Sequence, residues 1–159
     1  MSEEGRELAT ILGRELGHAA EEIGAYRDEK NLWVTVGAQR NAPGTLALHL
    51  AGNLLHYVGA VLGGTGYVRD RPAEFGERDV PRAELLRRLT ECRQTAERTL
   101  GGVEADVLAA PYPGELPPAL AGMTTRAFLV HLIWHLGWHT GQIYYHRLAI
   151  ESPESSTDV

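Results

Sequence analysis

Apolar residues return at helical spacing in four stretches of this chain, and glycine pairs and prolines break the backbone between them. The first stretch runs from Glu4 to about Arg27, with Leu8, Ile11, Leu12, Leu16 and Ile23 recurring at that spacing. Pro43-Gly44 opens the second, Thr45 to about Leu62, and Gly63-Gly64 ends it. Asp79 and Pro81 mark the start of the third, which stops at Gly101-Gly102 after about Leu100. Thr124 or Thr125 caps the fourth, which reaches about Ile150. One run, Leu32-Trp33-Val34-Thr35-Val36, has strand-like composition. A sheet needs a second strand and no partner run is present, so this run is read as a packed connection. Four such helices must bury their apolar sides against one another. The sequence therefore predicts an all-α fold, an antiparallel four-helix bundle.

The connections carry their own signals. Gly64 to Val80 is long and rich in glycine, proline and charge, and connections of that length often lie over a functional site. A short turn is expected near Glu104 to Leu108. Pro111, Pro113, Pro117 and Pro118 exclude regular helix up to Gly122. Residues 1–150 are expected to form one domain, and 151–159 a disordered acidic tail.

Charge excludes some functions. Lys and Arg number 15 against 21 Asp and Glu, a net charge of −6, so no general attraction for nucleic acid or an anionic membrane is expected. No apolar run is read as reaching the roughly 20 residues that cross a bilayer, and the first residues are too charged for a signal segment. The single cysteine, Cys92, allows no internal disulfide and lies among charges that do not mark it as a nucleophile. A reducing, cytoplasmic setting is expected.

The fourth helix carries the chemistry. His131, His135 and His139 recur every four residues. At about 100° per residue, His135, His139 and His146 lie about 40°, 80° and 60° from His131, all on one side. Leu132, Ile133, Leu136 and Ile143 flank the central pair, a setting that favours the neutral imidazole a metal needs. Two imidazoles on one helix do not make a tight site. The second helix offers His49 and His56, about 20° apart on an ideal helix, with Asn53 between them. A set of His49, His135 and His139 would give three neutral nitrogen ligands and leave positions open, as catalytic metals require. The competing reading is ordinary: a histidine on an apolar face is commonly a hydrogen-bonded core residue. His146, near the helix end, can offset the helix dipole, and His18 belongs to surface or core. No His-Glu-x-x-His or Glu-x-x-His occurs, so peptide hydrolysis of that type and a ferritin-like di-iron site lack support. Gly63-Gly64-Thr65-Gly66 follows a helix and lacks the Lys-Ser/Thr of a phosphate loop. Trp134, Trp138, Tyr144 and Tyr145 read as core or dimer contacts.

Leu48-His49-Leu50-Ala51-Gly52-Asn53 and His135-Leu136-Gly137-Trp138-His139-Thr140-Gly141-Gln142-Ile143 resemble the two histidine motifs of the DinB-like family. The lead-in Gln39-Arg40-Asn41-Ala42-Pro43-Gly44 is similar too, and Thr140 departs from the arginine common there. The resemblance spans about Glu4 to Ile150. It implies an up-down-down-up bundle, commonly a homodimer, with a divalent metal, often zinc or nickel, on His49, His135 and His139. Characterised members of the family include enzymes that transfer low-molecular-weight thiols such as bacillithiol or mycothiol to electrophiles, and others that isomerise maleylpyruvate with mycothiol. The expected function is therefore metal activation of such a thiol for attack on an electrophilic small molecule. His131, Asn53, His56 and Gln142 are the residues expected to contact the cofactor or steady the ligands; Arg69 and Arg71 are read equally as contacts to its carboxylates or as structural residues. No catalytic residue is assigned. A metal-dependent hydrolase, which needs no thiol, and a non-enzymatic stress-related metal or small-molecule binding protein are the alternatives.

Overall fold

The computed structural model describes residues 2–152, which are helical with no strand among them. The tail read at 151–159 lies outside the described residues from 153 onward, and Glu151 still belongs to the last helix. Helix α1, Glu3–Gly24, starts at Ser2, whose hydroxyl accepts the Gly5 amide at 3.0 Å. Leu8, Leu12, Leu16 and Ile23 are buried as their spacing predicts. A 3₁₀ turn, Glu29–Trp33, begun by the Asp28 side chain on the Lys30 amide, takes in the first two residues of the strand-like run, with Leu32 buried, and residues 34–36 follow as irregular chain. No sheet forms there, as expected.

Helix α2, Pro43–Leu54, is buried along its whole length. The sequence predicts one α-helix to Leu62, but Leu55–Leu62 is a π-helix. Its wider turn begins one residue before His56, so the ideal seven-residue return from His49 is altered there. The expectation about apolar length is also corrected. Pro43–Leu62 is long and apolar enough by composition to cross a membrane, with mean hydropathy 1.3, yet 67% of that window lies inside the protein. It is a helix buried inside an all-helical protein.

The long connection holds a helix that periodicity could not reveal: α3, Arg71–Gly76, capped by Asp70 on the Ala73 amide and packed on α2. Helix α4, Arg82–Gly101, is followed by α5, Ala105–Ala109. The proline-rich segment is fastened to the start of α6, Thr125–Glu151, by Tyr112 N–H to the Met123 carbonyl and Thr125 N–H to the Ala110 carbonyl.

Which ends meet sets the site. Ser2 lies at Val103 and Arg82 at Gly24, so α1 and α4 run in opposite directions. Arg126 pairs with Glu4 and Arg147 with Glu22, so α1 and α6 run together. The Tyr57 ring meets Phe128 while His49 meets His135 and His139, so α2 opposes α6. The start of α2 thus lies beside the C-terminal half of α6. His146, read as a helix-end residue, is instead 1% exposed. Its Nε2–H donates to the Val34 carbonyl at 2.9 Å, and Nδ1 lies 2.8 Å from the Tyr26 hydroxyl, which also reaches the Ile143 carbonyl. It ties α6 to the segment between α1 and α2.

Candidate metal centre

Opposed α2 and α6 bring three of the seven histidines together: His49, His135 and His139 present ligand atoms within 4.8 Å of one another. His135 Nε2 lies 3.3 Å from His49 Nε2 and 3.1 Å from His139 Nε2. Nitrogens bound at 2.0–2.1 Å on two corners of a tetrahedron stand about 3.3 Å apart, so this spacing suits one shared ion.

Two rings have their protons placed by neighbours. His49 Nδ1–H donates to Glu74 Oε2 at 2.9 Å, and His139 Nδ1–H donates to Gln142 Oε1 at 2.8 Å. Neutral imidazole carries one N–H, so both Nε2 atoms point lone pairs at the cluster. His135 makes no hydrogen bond through Nδ1 among the described residues, and its proton can sit on either nitrogen. On Nε2 it bridges the other rings; on Nδ1 it frees the third lone pair. The histidine–carboxylate pair is the arrangement that orients metal ligands and raises their basicity. The donor set therefore fits a divalent ion.

The electrostatics point the same way. Burial, then the neighbouring His139 and His49, pushes the His135 imidazole down to about 3, so it is neutral at any physiological pH. Burial also lowers His139, partly offset by the bond to Gln142. Burial alone would raise the Glu74 carboxyl, but hydrogen bonds from Arg69 and His49 outweigh it and hold it below the usual range. Arg69 forks onto Glu74, Nε to Oε1 at 2.6 Å and Nη2 to Oε2 at 2.8 Å. The carboxylate charge is thus answered by Arg69.

Glu74 is the functional residue that sequence reading missed. It lies 25 residues from His49, on a six-residue helix inside a segment read as loop. One signal was available: Gly52 in the middle of the buried α2. A Cβ there would stand 2.8 Å from Glu74 Cδ, so only glycine lets the carboxyl reach His49. Of the two readings of Arg69 the structural one applies, since its carboxylate is Glu74. Arg71 lies over the Phe75 ring, and Phe75 in turn packs on the His49 ring.

The remaining candidates divide. Asn53, one turn from His49, is buried and its Oδ1 has no hydrogen-bond partner among the described residues. His131 is sandwiched by Phe128 and Trp134 beside His135, outside the three-histidine cluster. His56 packs on Tyr57 in the π-helix and is also outside it. His18 is exposed next to Glu15. Cys92 is buried, and burial pushes its thiol up to about 12, which makes it inert rather than nucleophilic. Trp134 and Trp138 are more than half exposed, so they are not core residues.

The sequence profile of the DinB superfamily matches residues 15–143, a span that holds all three converging histidines. No curated protein and no solved structure gives a significant match to the chain.

Proposed function

The chain belongs to the DinB superfamily, and from that premise we propose that it is a metal-dependent enzyme acting on a thiol. His49, His135 and His139 hold a divalent ion, zinc or nickel, and a low-molecular-weight thiol is transferred there to an electrophilic small molecule. The observation that carries this reading is the convergence of three imidazole nitrogens at ligand spacing, with two tautomers set by Glu74 and Gln142. A divalent ion bound there supplies Lewis-acid stabilisation of a thiol's anionic form at neutral pH.

The chain's own residues prepare that chemistry. Glu74 and Gln142 hold the ligand rings in place and keep their second nitrogens protonated. Arg69 balances Glu74, so the charge of the ion is left for a substrate anion. Asn53 Oδ1 offers an acceptor to a donor on the bound small molecule. Gln142, bonded to His139, and His131, beside His135, extend the small-molecule surroundings along α6, and His56 is assigned to their outer edge. The scaffold is an up-down-down-up bundle of α1, α2, α4 and α6, supported by the end-to-end meetings described above.

A homodimer through α6 belongs to the same reading. Val130, Trp134, Trp138, Tyr145 and Leu148 are exposed on the side of α6 away from the core. A reducing, cytoplasmic setting suits the buried free Cys92.

Titrating zinc and nickel into wild type and into His49→Ala, His135→Ala, His139→Ala and His18→Ala by calorimetry tests the centre. The first three variants should bind at least 100-fold more weakly, and His18→Ala as wild type does. A thiol-consumption screen with electrophiles should show turnover that needs both metal and thiol. Unchanged metal affinity in folded His135→Ala removes the centre, and turnover without thiol replaces the transferase with a hydrolase.

A further inference from the structure

A cavity of about 410 Å³ opens one turn along α6 from the histidine cluster, between α6 and the segment that leads into α2. Its size suits a small molecule. Gln39, Arg40, Asn41, Pro43, His139 and Gln142 are among its lining residues. His139 is a wall shared with the cluster: its Nε2 faces His135, and its other side, with Gln142, faces the cavity.

The lining has one sign of charge. No acidic side chain contributes to it. Arg40 is exposed in this lining and makes no ion pair or hydrogen bond among the described residues. Gln142 adds a second donor for a definite reason. A metal on His139 Nε2 requires the proton on Nδ1, and that proton requires Gln142 to turn Oε1 toward it. The NH₂ of Gln142 is then free to donate. A guanidinium and an amide NH₂, with the amides of Gln39 and Asn41 nearby, offer hydrogen-bond donors to a planar oxyanion. One positive charge balances a single carboxylate.

We infer that this cavity binds a carboxylate of the small molecule handled at the cluster, gripped by Arg40 and the Gln142 NH₂. The orientation of Gln142 rests on the metal reading above, whereas the cavity and Arg40 do not. The carboxylate belongs to the thiol or to the electrophile, and the two sources behave differently in one experiment.

Glutathione serves as a probe that carries both a thiol and carboxylates, its diethyl ester masks the carboxylates, and S-methylglutathione removes the free thiol. Each is titrated by calorimetry into wild type, Arg40→Gln and Arg40→Glu, zinc-loaded and metal-free, with zinc affinity measured for every variant. Zinc-loaded wild type should prefer a carboxylate-bearing probe to the ester by about tenfold, the scale of one charge-assisted pair. Arg40→Gln should erase that preference, and Arg40→Glu should reverse it, while zinc affinity and affinity for the ester stay unchanged. If S-methylglutathione shows the Arg40-dependent binding without zinc, the electrophile can bring the carboxylate. If only glutathione shows it, and only with zinc, the carboxylate sits on the thiol. Equal affinities for acid and ester in wild type, or a preference that survives Arg40→Gln, overturn the inference. If zinc does not bind wild type, the metal reading falls by itself. The metal-free S-methylglutathione titration then decides the cavity: Arg40-dependent binding supports it, and no binding overturns it.

Discussion

Glu74→Gln separates the two duties of one buried carboxylate. The side chain is 5% exposed and accepts three short bonds, two from Arg69 and one from His49 Nδ1. Glutamine keeps the shape and one acceptor but loses the charge, and its NH₂ must face a donor. Arg69, whose side chain is 12% exposed, is left without its counter-ion. Breaking a buried pair from one side costs about 3–5 kcal/mol. With one acceptor retained, about 2–4 kcal/mol is expected. Metal affinity should fall separately, because His49 loses the partner that fixes its proton and orientation. Such losses run about 10–100-fold, or about 1.4–2.8 kcal/mol. The double variant Glu74→Gln/Arg69→Met discriminates between the duties. With neither charge buried, stability should largely return, but zinc affinity should stay low. Urea unfolding of the metal-free protein and zinc calorimetry read the two quantities. If the single variant stays within about 0.5 kcal/mol of wild type, the buried-pair argument fails. Zinc affinity restored in the double variant would mean that a loose Arg69 charge repels the ion, and that Glu74 does not act through His49.

Gly52→Ala should weaken zinc binding about tenfold by displacing Glu74, although alanine favours helix by about 1 kcal/mol; a more stable variant with wild-type zinc affinity would contradict the close approach at Gly52. Metal-free protein should lose stability as pH falls below about 6.5, the imidazole value in an unfolded chain. His135, His139 and His146 are all held below it by burial, so under acid the unfolded state takes up more protons than the folded one. A thermal midpoint that does not change between pH 7 and 5 would refute this. Trp134→Glu/Trp138→Glu should turn a dimer into a folded monomer by sedimentation, and a wild type that is monomeric at micromolar concentration would dispose of the α6 interface.

Periodicity is a local property, and what it can report was legible in the sequence. Leu8, Leu12, Leu16 and Ile23 share a face because the backbone repeats every 3.6 residues, whatever surrounds it. The same arithmetic put His135 and His139 on one side of α6, and their apolar neighbours fixed that side as inward. Periodicity cannot say which faces meet. The motif around His49 named it as the third ligand, and the opposed packing of α2 against α6 is what brings it to the α6 pair. That Glu74 holds His49 depended on the path of a connection with no period of its own, and on a glycine whose missing side chain matters only once α3 lies across it. The exposure of Trp134 and Trp138 and the burial of His146 follow from the same cause. Side chains on one helix acquire their environments from elements far away in sequence, and only the assembled chain brings those elements into place.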